Sequence, residues 1–197
     1  MSMRLLGLDW SAHLPWHFDD GRAEVVSADQ ALPFIQQHYP AIFGRTEAVG
    51  HFLPSPMTDA KRRFFGEMDF FMLRVGDRDA GLVMGHPSDW SSYYVRSAAV
   101  LPEFRERRVL TQFAERLYEP LRAMGVERIE AESSPANVPM ARLLTGQGYM
   151  VTAQVNSERF GLMLRYTKFL LGDAQAAFMR QYTAMPFSPR SRSNTLA

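Results

Sequence analysis

Val100-Leu-Pro-Glu-Phe-Arg-Glu-Arg-Arg-Val-Leu-Thr-Gln-Phe113 leaves a run of β-forming residues, enters a run of helical period, and sets three arginines within four positions at the junction. Upstream, Ser91–Val100 is rich in Tyr, Val and Ser. It predicts a strand whose alternation puts Tyr94, Arg96 and Ala98 on one face. Downstream, Val109, Leu110, Phe113, Leu117, Leu121 and Met124 recur at helical spacing and predict an amphipathic helix over 108–124. Pro120, with no N–H to give, is expected to kink or shorten it, and Gly125 to stop it. A helix that starts at a strand end presents unpaired amides and the positive end of its dipole there, and a phosphate is the natural occupant. Arginines at that turn would add charge-assisted hydrogen bonds. The plainer reading makes them a solvated charged face, so the rest of the chain has to decide.

Beyond the helix, Arg128–Glu132 predicts a short strand, parallel to Ser91–Val100 if the crossover is right-handed. Ser133-Ser-Pro-Ala-Asn-Val-Pro139 opens a second helix that runs to Gln147 and stops at Gly148. Strands over 149–155 and 161–170 should pair with each other. On the N-terminal side, Met68–Val75 and Ala80–His86 read as a hairpin around Gly76-Asp-Arg-Asp79. Capped helices are expected at 27–39 and from Thr58 or Asp59 to Phe65, separated by a loop marked by Gly44, Gly50, Pro54 and Pro56. Residues 1–21 read as an irregular or strand-containing extension. Residues 172–197 read as a C-terminal extension with a helix at 173–182 and a loose or partner-ordered end.

At 197 residues and 46% hydrophobic, the chain suits one well-buried domain, placed at 22–171, of α/β or α+β class. It has no cysteine, which removes disulfides, thiolate metal sites and a cysteine nucleophile, and fits a cytoplasmic home. The apolar run at the N-terminus is too short for a signal peptide and no segment is long enough to span a bilayer, so a soluble protein with no membrane partner is expected. A net charge of +1 argues against a general nucleic-acid binder. The charge is uneven: residues 1–100 carry nine Lys and Arg against twelve Asp and Glu, residues 101–197 thirteen against nine. An anionic ligand would be drawn to the C-terminal half. His13 and His17 are spaced for one helix face, but Pro15 between them opposes that helix, and no metal is expected.

Val100-Leu-Pro-Glu-Phe-Arg105, followed later by Asn137 and, eleven and twelve residues on, Gly148-Tyr149, resembles the GNAT superfamily of acyl-CoA N-acyltransferases. The resemblance spans roughly Ala23–Leu170. It implies a mixed, mostly antiparallel sheet of about six or seven strands with one splayed parallel pair, flanked by about four helices. It also implies acetyl-CoA or another acyl-CoA as acyl donor, and a small-molecule or peptide amine as acceptor. In such a protein the backbone of Ala98, Ala99 and Val100 holds the pantetheine arm and polarises the thioester. Arg105, Arg107, Arg108, Val109, Leu110 and Thr111 form the pyrophosphate cradle, and Asn137 meets the arm. Asn137 alone would read as a helix cap.

Two departures stand out: Arg108 and Leu110 occupy positions where the family pattern has glycine, and Leu144 occupies that of a tyrosine acid. Transfer also needs a base, for which Glu67, Asp69, His86, Asp89 and Glu132 are candidates, and Glu132 and His86 are preferred because both sit at strand ends near the expected cleft. Trp90, Tyr93, Tyr94, Phe70 and Phe71 are candidates to line an acceptor or acyl pocket. Lost glycines and added arginines would also suit an acyl carrier protein as donor, as in the acyl-amino-acid and acyl-homoserine-lactone synthases of similar fold. A GNAT-like domain that binds without turnover is the third reading, and a homodimer is among the assemblies such a domain could form.

Overall fold

Every element downstream of the quoted stretch forms close to where its pattern places it. The structure is a computed structural model and describes residues 8–47, 58–157 and 160–183. In chain order the elements are β1 Trp16–His17, β2 Gly21–Val26, α1 Ala28–Glu47, α2 Asp59–Gly66, β3 Asp69–Val75, β4 Arg78–Pro87, β5 Ser92–Val100, α3 Val109–Ala123, β6 Arg128–Ser133, α4 Val138–Gly146, β7 Met150–Ser157, β8 Gly161–Phe169 and α5 Gly172–Thr183. A 3-10 turn, Pro102–Phe104, joins β5 to α3. The eight strands form one sheet in the order β1-β2-β3-β4-β5-β6-β8-β7, antiparallel throughout except for β5 beside β6. The mixed, mostly antiparallel architecture with one parallel pair is therefore as expected, with eight strands and five helices among the described residues.

The additional strands come from residues that carry weak patterns. β1 has two residues, and β2 interrupts its apolar positions with Arg22 and Glu24, which pair with each other at 2.6 Å. Trp10 and Trp16, set apart from the domain by the sequence reading, both pack on Phe71 of β3. Trp10 does so edge-on at 4.9 Å between ring centroids and Trp16 stacked at 6.1 Å. Helix α1 is longer than expected. Ser27 and Gln30 cap it reciprocally, side chain to backbone in both directions, and it then runs through Pro33 and Pro40 to Glu47. The loop expected at Gly50, Pro54 and Pro56, and the end of the C-terminal tail, lie outside the described residues. Pro120 neither ends nor shortens α3 at its own position, for the helix continues to Ala123 before Gly125 at φ +85°.

Two apolar layers flank the sheet. One places Phe71, Val83, Tyr93 and Ile129 against Val109, Phe113, Leu117 and Leu121 of α3. The other places Phe70, Met72, Leu82 and Met84 against Ala31 and Phe34 of α1 and Phe104 of the 3-10 turn. Tyr93 passes over Gly85, where a Cβ would stand 2.5 Å from the ring, and its hydroxyl donates to buried Asp69 at 3.0 Å.

A bulge corrects the expected faces of β5. Met84 pairs with Ser97 and Gly85 with Val95, so Arg96 is the extra residue. After it the alternation flips: Ala98 joins Tyr93 and Val95 on the α3 face, while Ser97 meets the Tyr39 hydroxyl of α1 at 2.9 Å. Tyr94, Arg96 and Ala98 therefore do not share a face.

Candidate functional site

The parallel pair is joined only at its start. Register runs from Ser92 beside Arg128 to Val95 beside Ala131, although β5 continues to Val100 and β6 to Ser133. Beyond Val95 the two strands part. The gap opens into a cleft of about 490 Å³ between the sheet, α3 and α4. Its walls are mainly apolar, with Phe113 and Leu117 from α3, Met140 and Leu144 from α4, and Met163 from β8. Ala98 and Leu110 line it, as does Asn137.

On the α3 side the cleft reaches Leu110 in the first turn of the helix, while Arg105, Arg107, Arg108, Val109 and Thr111 flank it without lining it. Helix α3 starts at Val109, and its first hydrogen bond runs from the Gln112 N–H to the Arg108 carbonyl, so the amides of Val109, Leu110 and Thr111 have no partner within the helix. Arg108, the N-cap residue, makes no side-chain cap and sits at φ +57°, in the left-handed region where glycine rests without cost. Glu106 shares that conformation at φ +67°. The loop therefore adopts a glycine conformation with an arginine in it.

The three arginines are turned to other tasks. Arg105 Nε donates to the Val100 carbonyl at 3.2 Å, and Arg107 pairs with Asp20 at 3.2 Å while lying over the Phe104 ring. Arg108 reaches Glu115, two turns up α3, at 3.8 Å; Glu115 in turn accepts from Gln147 Nε2 at 3.4 Å. All three side chains are more exposed than buried, and such contacts are worth about 0–1 kcal/mol. Val109 is buried in the core, and Thr111 sits half-buried on the first turn. Ala99 is buried at 2% exposure with its carbonyl close to Gly81, whereas Val100 is half-buried. Asn137 caps α4, its Oδ1 accepting from the Met140 N–H at 3.3 Å.

The other end is made by side chains. Glu132 lines the cleft and is clamped by Arg165 of β8, whose Nε and Nη2 both donate to Glu132 Oε1, at 3.0 and 2.7 Å. Among the described residues, Glu132 Oε2 accepts only from the Tyr94 hydroxyl, at 3.5 Å. The hydrogen bond to Glu132 raises the Arg165 pKa above its usual value. Burial, reinforced by the Glu132 charge, raises the Tyr94 phenol, so it keeps its proton. His86 stands apart from the cleft wall: its Nδ1 is 3.0 Å from the Pro87 carbonyl oxygen, and its ring packs against Phe64 and Tyr94. The aromatic set expected to line a pocket does other work. Phe70 and Phe71 fill opposite cores, Tyr93 is bonded to Asp69, and Trp90 is 77% exposed.

Leu144 is buried in the wall, and the phenol lining the same cleft is Tyr149. Burial raises the Tyr149 pKa well above its usual value, and its hydroxyl is hydrogen-bonded to Tyr118, which donates to Gln147 Oε1 at 3.1 Å. Arg96, Arg165, Ser133 and Ser134 were not singled out by the sequence reading. The available signal was weak: Arg165 alternates with apolar residues in a strand, and serines precede the α4 cap. Among the described residues no group of three or more His, Asp or Glu is placed to hold a metal. No described helix is long and apolar enough to cross a membrane.

Solved structures share this arrangement of strands and helices. Ard1 from Thermoplasma volcanium is 17% identical, with a TM-score of 0.58 over 77% of this chain and 99% of its own. The yncA protein of Salmonella typhimurium, solved with its cofactor acetyl-CoA, is 13% identical, with a TM-score of 0.58 over 78% of this chain and 96% of its own. A Bacillus subtilis acetyltransferase in complex with CoA is 14% identical, with a TM-score of 0.56 over 77% and 99%. At these identities the likeness is one of fold. No curated protein sequence matches the chain. The family model described as acetyltransferase (GNAT) family matches residues 34–149, more than half of the chain and the whole of the β5–α3–β6–α4 unit around the cleft, and the protein belongs to that family.

Proposed function

We propose that the protein is an N-acyltransferase that moves an acyl group, in the first instance acetyl, from coenzyme A to an amine. The observation that carries this reading is the parting of β5 from β6 beyond Val95 into a cleft that reaches Leu110 at the open amino end of α3. An acyl-CoA is long and chemically divided, with an anionic pyrophosphate, a polar amide arm and a reactive thioester. The cleft is divided in the same order.

The residues fit that donor. The amides of Val109, Leu110 and Thr111 at the positive end of α3 suit a pyrophosphate, with the charges of Arg105, Arg107 and Arg108 nearby. The edge of β5 from Ala98 to Val100 that faces away from β4 has no strand partner beyond the parting, so its amide groups can bond the arm. Asn137 spends Oδ1 on its cap and retains its amide N–H groups for the arm. When bound, the donor supplies an acyl carbonyl activated by sulfur. An N–H of β5 beside that carbonyl stabilises the negative charge that grows on its oxygen during attack.

The amine must attack unprotonated. Glu132 Oε2 is the acceptor for its proton, because Arg165 occupies Oε1 and leaves Oε2 with only a long contact to Tyr94. His86 is the weaker of the two candidates, since it does not line the cleft. Leu144 offers the departing sulfur no proton, so that proton comes from solvent or from a cleft hydroxyl such as Ser133 or Ser134.

Titration calorimetry with acetyl-CoA, paired with thiol release over a panel of amines, tests this reading. Micromolar binding and amine-dependent thiol release are expected. Binding with no release for any amine would favour a domain that holds the donor without turnover. No binding of acetyl-CoA, with binding of an acylated carrier protein, would favour the carrier as donor.

A further inference from the structure

The cleft carries an imbalance of charge at the end proposed for the acceptor. Among its described lining residues only Arg96 and Glu132 are charged. Glu132 is already neutralised by two hydrogen bonds from Arg165. Arg96 makes no hydrogen bond or ion pair with any described residue, and its charge is felt by the Tyr94 phenol, which bonds Glu132. Arg96, an exposed residue, therefore sets one positive charge at the rim of a largely apolar cavity, with no counter-charge bonded to it among the described residues.

The fold aims that charge. Arg96 is the extra residue of the β5 bulge, opposite the step from Met84 to Gly85. It lies one residue past Val95, where β5 and β6 part. Bulges re-aim side chains in this way beside binding sites. An arginine fork matches a carboxylate with two parallel hydrogen bonds, and it resists losing its proton at any accessible pH.

We propose that Arg96 binds a carboxylate carried by the acceptor, which makes the acceptor an amino acid or another amine bearing a carboxylate close to its nitrogen. This rests on the acyltransferase reading above and names its substrate class. Arg96 takes the carboxylate, and the amine lies towards Glu132 Oε2. In the step itself the amine nitrogen forms a bond to the acyl carbon as the carbon–sulfur bond breaks. The amine proton passes to Glu132 and on to solvent, and the thiolate takes a proton from solvent, so no further reactant is required.

The test compares free amino acids with their own carboxamides as acceptors: alanine, methionine, phenylalanine and glutamate, each with acetyl-CoA and with succinyl-CoA, monitored by thiol release. Wild-type protein should prefer the free acid by at least about tenfold in kcat/KM, the worth of a charged hydrogen-bonded contact. Arg96→Gln should remove that preference by raising KM for the acids towards that of the carboxamides, and Arg96→Lys should retain part of it. Equal use of acids and carboxamides by wild type, or a preference that survives Arg96→Gln, overturns the proposal. A preference that Arg96→Gln removes for succinyl-CoA over acetyl-CoA, and not for acid over carboxamide, also overturns it by placing the carboxylate on the acyl chain. Absence of thiol release with every acceptor overturns the transferase reading. Calorimetry of the N-acetyl amino acids against their carboxamides, in the presence of coenzyme A, still decides the Arg96 contact in that case.

Discussion

The two ends of the cleft are built from different material. At the α3 end the groups suited to a ligand are main-chain amides, and the side chains of the loop are turned to Val100, Asp20 and Glu115. At the β6–β8 end the groups are side chains, Arg96, Glu132, Arg165 and Tyr94, drawn from three strands. A site made of amides survives a change of side chain provided the backbone keeps its path. The Arg108 position shows this, holding a left-handed conformation with an arginine where the family pattern has glycine. A site made of side chains changes with each substitution. The first end should be shared across a family and the second should encode what each member acts on.

The sharpest way to separate the ends is Glu132→Gln. The amide keeps the shape of the carboxylate but cannot take a proton, so kcat/KM for the acceptor should fall about 100-fold, at the lower edge of general-base contributions. Acetyl-CoA affinity by calorimetry should stay within about twofold of wild type, because the residue belongs to the other end. A matched loss in donor affinity would break the division.

Asn137 tests the border between the ends, since it both caps α4 and lines the cleft. Asn137→Ala should cost about 1 kcal/mol in urea unfolding, the usual worth of an N-cap. It should also weaken acetyl-CoA a few-fold, about the loss of one neutral hydrogen bond. Lost stability with unchanged donor affinity would leave Asn137 as a cap alone.

The same division explains what could be read from the sequence. The α3 end was legible because its residues are contiguous: a strand, Pro102-Glu-Phe104, arginines and a helix of clear period follow one another from Ser92 to Ala123. The parallel pair, the hairpin around Gly76 and the β7–β8 pairing followed from local pattern for the same reason. The acceptor end was legible only in part, through Glu132 and Tyr94, and not in what they meet. Glu132 meets Arg165 across 33 positions, and no spacing rule links them. The bulge at Arg96 is marked by no glycine or proline of its own, so simple alternation assigned the wrong face to Ala98. Strands β1 and β2 escaped because one is two residues long and the other carries an ion pair in the middle of its pattern, and α1 ran past Pro40, a residue that normally marks an end.

The smallest expected change is the most direct trial of the backbone end. Arg108 sits at φ +57° with its side chain exposed and only a 3.8 Å contact to Glu115. A left-handed conformation costs an ordinary residue about 1–2 kcal/mol, and glycine removes that cost while adding roughly 0.5–1 kcal/mol of unfolded-chain entropy. Arg108→Gly should therefore change stability by no more than about 1 kcal/mol, with the balance towards stabilisation. If the amides of Val109, Leu110 and Thr111 carry the pyrophosphate, acetyl-CoA affinity should remain within about threefold, and the small loss should shrink further as salt screens the missing charge. A loss of tenfold or more at low salt that fades at high salt would mean that the guanidinium itself grips the phosphate, at about the worth of a charge-assisted hydrogen bond. The two ends would then both be side-chain sites, and the arginine at the glycine position would be a functional replacement for what the glycine supplies.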